Sequence, residues 1–129
     1  MMLALLLMTA AAPQTDADVE KRYSAAFNTC TNTGDAARGV TPAMMECLSA
    51  ELERQDARLN QAYTMVMKRL SPKRKTALRT SQRKWIRDRD AKCKRAYDAV
   101  GGGTASGLEF QGCMTSETIR RTIFLERYR

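Results

Sequence analysis

The chain has 129 residues, enough for one domain with a modest core. It contains no His, which excludes Ser-His-Asp and Cys-His catalysis and the usual His-bearing zinc sets. The formal charge of +8 is uneven: residues 13–60 carry five basic and eight acidic side chains, residues 61–129 seventeen basic and six acidic, so the second half can attract anionic partners.

The N-terminus opens with an apolar run, Leu3 to Met8, followed by Ala10, Ala11 and Ala12. That is the pattern of a cleaved signal peptide over residues 1–12, too short to span a bilayer, leaving a domain over 13–129. No Cys follows closely, which argues against a lipid anchor. Export places the four Cys, at 30, 47, 93 and 113, in an oxidising periplasmic or extracellular compartment, where an even number favours two disulfides.

Ala, Leu, Met, Arg, Lys, Glu and Gln dominate the composition, which is helix-forming chemistry. A first helix is expected over about 16–28, with Tyr23 and Phe27 on one face, then a loop over Thr31–Val40 marked by Asn32, Gly34 and Gly39. Thr41-Pro42 reads as an N-cap and first helical residue. Met45, Leu48, Leu52, Leu59, Ala62 and Val66 then recur at helical steps to about Leu70. Ser71-Pro72 breaks the chain and starts a second long helix to about Val100. Its stripe is Leu78, Gln82, Trp85, Ile86, Arg89, Cys93, Ala96, Tyr97 and Val100. Gly101-Gly102-Gly103 ends it, a loop is expected through Gly107, and a last helix runs over about 108–128 with Phe110, Cys113, Met114, Ile123 and Leu125 inward. The fold class is all-α: a small antiparallel bundle around a long helical hairpin, stapled by two disulfides.

A tight reversal at Ser71 makes the two long helices neighbours whose facing positions sum to about 142. Asn60 then lies level with Gln82, and Asp56 near Trp85 and Arg89. These polar groups interrupt apolar stripes, and buried polar groups need partners. An Asp56–Arg89 ion pair and an Asn60–Gln82 amide contact are therefore expected, with Tyr63 and Trp85 among them.

The strings CLSAELERQDARLNQAY, SQRKWIRDRDAKC and CMTSETIRRTIFL resemble the DUF1311 family, also called the lysozyme inhibitor LprI-like N-terminal domain. The matching positions are Cys47, Asp56, Leu59, Asn60, Tyr63, Gln82, Trp85, Arg89, Asp90, Cys93, Cys113, Thr118, Arg121 and Leu125, and the resemblance covers roughly residues 30–125. It implies an exported bacterial helical domain, of a family whose members often have no assigned role and whose namesake activity, lysozyme inhibition, belongs to few of them. The common animal lysozymes are strongly basic and would be repelled at long range, although the acidic stretch Glu46–Asp56 could dock one locally.

Cys30–Cys47 and Cys93–Cys113 close short loops, each contributing about 3 kcal/mol in the chain-entropy model, and this local pairing is preferred. The hairpin register brings all four Cys to the end away from Ser71, so Cys47–Cys93 with Cys30–Cys113 stays open. Thirteen Lys or Arg lie between Lys68 and Arg95, with Lys75, Arg79, Arg83 and Arg87 stacked four apart. That row is a solvated face or a docking strip for anionic glycan, lipid headgroups or an acidic protein. It lacks the aromatic interleaving of a nucleic-acid site. A glycosidase would need two carboxylates across a cleft, for which only Asp56 with Asp88 or Asp90 could be nominated. The Gly triplet follows a helix rather than a strand, so it is no phosphate loop, and no cofactor or metal is expected. The expected role is an envelope-binding protein, an inhibitor of lysozyme or another envelope-directed enzyme, or else a structural protein held to anionic polymer. The oligomeric state is not legible.

Overall fold

The computed structural model describes residues 14–129, so the expected leader lies outside the described residues. It is all-helical among those residues: α1 (Asp16–Glu20), α2 (Ala25–Thr31), α3 (Gly34–Ala37), α4 (Thr41–Arg69), α5 (Pro72–Val100) and α6 (Gly103–Glu126). No described helix is long and apolar enough to cross a membrane.

The two long helices form where the apolar stripes place them. Ser71 caps α5, its hydroxyl accepting from the Arg74 N–H at 3.4 Å, and Pro72 fits the first turn because its missing N–H would have no partner there. At α4 the cap moves back one residue, to Val40, and Thr41 is already helical. The N-terminal segment is two helices rather than one. Thr15 caps α1 in a reciprocal box with Asp18, and Ser24 caps α2 by accepting from the Phe27 N–H at 3.0 Å. Tyr23 and Phe27 still meet, with centroids 4.8 Å apart, across the break between these helices. The expected loop over Thr31–Val40 contains the single turn of α3.

The last helix begins five residues earlier than expected. Gly101, Gly102 and Gly103 all have φ between 76° and 97°, a region that disfavours side chains, so the triplet is the whole turn. Ser106 locks it, accepting from the Gly102 N–H at 2.8 Å and donating to the Tyr97 carbonyl at 3.0 Å.

Helix α6 is the centre of the bundle. It packs along both α4 and α5, whereas close backbone approaches between α4 and α5 are few. The hairpin is therefore wedged open by α6 rather than closed on itself. The larger apolar cluster joins all three helices at the hairpin end: Leu59 and Val66 of α4, Leu70 just past its end, Leu78 of α5 and Leu125 of α6. A smaller cluster seats Val19 of α1 on Ile119 and Ile123. Of the inward positions expected on α6, Ile123 and Leu125 are buried, while Phe110, Cys113 and Met114 are half-buried. The disulfides are the local pair, Cys30–Cys47 and Cys93–Cys113, with Cα–Cα distances of 5.8 and 5.5 Å. The first ties α2 to α4; the second ties α5 to α6.

Glu51 and Gln55 are fully buried on α4, at 0% and 1% exposure. Glu51 accepts from Ser24 twice, at the N–H (3.3 Å) and at Oγ (2.6 Å), and from Gln55 Nε2 at 2.9 Å, while Arg54 lies 3.3 Å away. Gln55 also donates to the Arg22 carbonyl at 2.9 Å. This cluster fixes the α1–α2 corner onto α4. Burial opposes ionisation of Glu51, but the hydrogen bonds from Ser24 and Gln55 outweigh it and hold the carboxyl below its ordinary value of 4.5. A carboxyl depressed by folding adds stability that is complete above the unfolded value and lost as pH falls through the folded one. Thermal midpoints of the wild type are therefore expected to fall more steeply below pH 4.5 than those of Glu51→Gln. Parallel curves would show that Glu51 is not the linked group.

Candidate binding groove

Because α6 holds α4 and α5 apart, an open groove of about 460 Å³ runs between them. Asp56, Leu59, Asn60 and Tyr63 line one wall, and Arg79, Gln82, Arg83, Trp85, Ile86 and Arg89 the other. The residues expected to lie level with one another, Asp56 with Trp85 and Arg89 and Asn60 with Gln82, line the same groove.

The expected pairs across it are not made. Arg89 instead donates from Nε to Asp90 at 3.1 Å and from Nη1 to Thr118 Oγ1 at 3.4 Å, and its guanidinium lies 4.9 Å from the Trp85 centroid. Gln82 accepts from Arg121 Nε at 2.8 Å, and Arg121 also donates to Ser81 Oγ at 2.8 Å. The reason is geometric. The two-helix register leaves out α6, and α6 brings Thr118 and Arg121 beneath the α5 wall. Arg121 lies 4.3 Å from the Phe124 centroid and 5.8 Å from that of Trp85, so its charge sits between aromatic faces. Burial lowers its pKa. Thr118 is fully buried and donates to the Met114 carbonyl at 2.7 Å.

Gln82 and Arg89 of the α5 wall are thus engaged from below, while Asp56 and Asn60 of the α4 wall are not. Among the described residues Asp56 and Asn60 make no side-chain hydrogen bond or ion pair. Asp56 is half-buried, and its pKa is raised by desolvation, against the attraction of Arg89. Asp88 pairs with Lys84, and Asp90 with Arg89; neither lines the groove. The two-carboxylate arrangement nominated from the sequence is therefore not assembled. No group of three His, Cys, Asp or Glu that could hold a metal occurs among the described residues.

The basic row flanks the same groove. Arg79 and Arg83 line it, and Lys75 and Arg79, with Tyr63, Thr64, Met67 and Lys68, line its continuation toward the hairpin turn, a further hollow of about 390 Å³. Arg87 is exposed and outside both. None of Lys75, Arg79, Arg83 or Arg87 forms an ion pair among the described residues. The acidic stretch Glu46–Asp56 is weaker than its sequence suggests, because Glu51 points inward; Glu46 and Glu53 are exposed.

The sequence reading missed Ser81 as a partner of Arg121, and Glu51 and Gln55 as interior groups. The signal for the latter pair was the four-residue row Cys47, Glu51, Gln55, Leu59, which sets the buried face of α4 more sharply than Leu48 and Leu52, both only half-buried. Chemically, the groove offers aromatic and aliphatic walls, the guanidinium groups of Arg79 and Arg83 without ion-pair partners among the described residues, and the amide of Asn60.

No curated protein and no solved structure matches the chain. The sequence model of the family described as "Lysozyme inhibitor LprI" matches residues 30–125, about three-quarters of the chain from the first Cys to the last buried Leu of α6, and the chain belongs to that family.

Proposed function

We propose that the protein is an exported inhibitor that binds a lysozyme-type muramidase and does not itself catalyse a reaction. The family match over residues 30–125 carries this reading. It is supported by a fold stapled with two disulfides, which suits an oxidising compartment, and by a groove furnished for recognition rather than for bond cleavage. With Glu51 turned inward, little acidic surface remains to dock a strongly basic enzyme, so a muramidase with an acidic or neutral docking face suits the +8 chain better.

The test is lysis of a peptidoglycan suspension by several lysozyme types, titrated with the purified, oxidised protein. Lysis by at least one type is expected to stop near a one-to-one ratio. Undiminished lysis by all of them at large excess would rule the reading out. A second reading, attachment to anionic glycan, rests on the unpaired Lys75, Arg79, Arg83 and Arg87. It requires retention on such a polymer that falls steeply with salt.

A further inference from the structure

The groove between α4 and α5 changes character along its length. Toward the hairpin turn it is cationic: Arg79 and Arg83 line it, and Lys68 and Lys75 line the hollow that continues it through the shared Tyr63 and Arg79. At the other end stand the Asp56 carboxylate, half-buried and without a hydrogen-bond partner among the described residues, and Arg89, whose guanidinium is already engaged by Asp90, Thr118 and the Trp85 ring. Between the two the walls are apolar, with Trp85 half-exposed and Ile86 40% exposed, and half-exposed Tyr63 stands where the two hollows join. Exposed Asn60 and the Gln82 amide nitrogen, neither engaged by the described residues, offer hydrogen bonds at mid-groove. A uniform polyanion would gain at the cationic end and be repelled at Asp56. A peptide segment matches all three features, since it alternates side-chain charge, apolar anchor and backbone amide within a few residues.

We propose that this groove seats an acidic segment of the partner protein, with an aromatic or aliphatic anchor over Tyr63, Trp85 and Ile86 and flanking Asp or Glu carboxylates on Arg79 and Arg83. Guanidinium groups suit this role because their planar fork meets a carboxylate through two parallel hydrogen bonds. The α5 wall is already positioned: Arg121 holds Gln82, and Thr118 holds Arg89. Binding there need not order both walls at once. The proposal rests on the reading that the protein acts by binding another protein.

Trp85 is the single Trp of the chain and lies in the groove, so its fluorescence reports occupancy directly. The probe is a phage-displayed library of random peptides, about twelve residues long, selected on the intact oxidised protein and then synthesised for titration. Enriched sequences are expected to carry Asp or Glu beside an apolar anchor and to shift Trp85 emission. Arg79→Glu with Arg83→Glu is expected to weaken them by about tenfold or more, whereas Arg95→Glu with Arg127→Glu, the same change of charge outside the groove, should weaken them by less than about twofold. No enrichment, enrichment without acidic bias, or equal losses in the two double variants would overturn the proposal. So would heparin, as the uniform polyanion, if it displaced the peptides and shifted Trp85 as effectively as they do.

Muramidase inhibition by the same variants separates this proposal from the functional reading. If the wild type fails to inhibit but the peptides bind and respond to Arg79→Glu with Arg83→Glu, the groove stands and the lysozyme target falls. If that double variant inhibits as well as the wild type, the target stands and the groove proposal falls.

Discussion

Leu78→Ala is expected to destabilise the protein by about 3–4 kcal/mol, the middle of the range for a fully buried leucine whose site cannot collapse. The size follows from how little holds α5. That helix has 29 residues, yet only Leu78 and Cys93 are buried. Ile86, Tyr97 and Val100, which the sequence placed on the inward stripe, are 40%, 39% and 46% exposed. Leu78, at 0% exposure, is where α5 enters the cluster with Leu59, Val66, Leu70 and Leu125. Shortening it leaves a void where three helices meet, and no neighbour on α5 can fill it. The thermal midpoint should drop by roughly 10–15 °C for a domain of this size. Ile86→Ala, on the same helix but at the groove surface, should stay within about 0.5 kcal/mol. Equilibrium urea unfolding of the two variants checks both figures. Equal effects would mean that α5 is held by its groove face instead.

This thin attachment also explains which parts of the molecule could be read from sequence. The long helices were legible because Ser71-Pro72 is a local signal and their stripes are periodic. The disulfide pairing was legible because both bonds close short loops. The α5–α6 turn was misplaced because Gly107 looks like a loop residue. It lies inside α6, where a Cβ would sit 3.9 Å from Met45 Cε, so it is a small contact residue against α4 and not a turn. The break between α1 and α2 was hidden because the group that stabilises it, Glu51, is 27 residues away in sequence from Ser24.

The site shows the same division. Register between two helices is a local consequence of a short turn, so the residues that share the groove could be named. Which of them bond to each other depends on a third element. Arg121 and Thr118 were already singled out, but only as motif positions; nothing in the spacing of α4 and α5 shows that α6 takes Gln82 and Arg89 as its own partners. Asp56 and Asn60 are left without partners for that reason. A polar residue on an inward stripe predicts that some partner exists, and it does not say whether that partner lies within the chain.

The Cys93–Cys113 bond is the second anchor of α5, and its loss is expected to act differently from that of Cys30–Cys47. Both bonds close loops of similar length, with sequence separations of 20 and 17, so the chain-entropy model assigns each about 3 kcal/mol. That equality holds only if everything inside each loop unfolds with the whole. Helix α3, inside the first loop, and α2, which enters it at Cys30, have no buried residue, so Cys30→Ala with Cys47→Ala should let that segment fray while the α4–α6 core persists. Cys93 is 0% exposed and lies fifteen residues along α5 from Leu78, about 22 Å at the helical rise. Between these anchors Trp85 packs on the larger apolar cluster, and beyond it toward Cys93 the α5–α6 contacts are polar: Arg89 to Thr118 and Lys92 to Glu117. Polar contacts that water can replace hold a helix weakly. Cys93→Ala with Cys113→Ala should therefore lower the global unfolding free energy by about 3 kcal/mol and expose the amides of residues 91–100 to hydrogen exchange first. The groove end of α5, fixed by Leu78 and Trp85 in the larger apolar cluster, should keep its protection until the whole domain opens. Mass-resolved exchange on the two double variants distinguishes these outcomes. Early exchange at residues 78–86 in the Cys93→Ala, Cys113→Ala variant would show that the groove wall depends on the disulfide and not on the contacts beneath it.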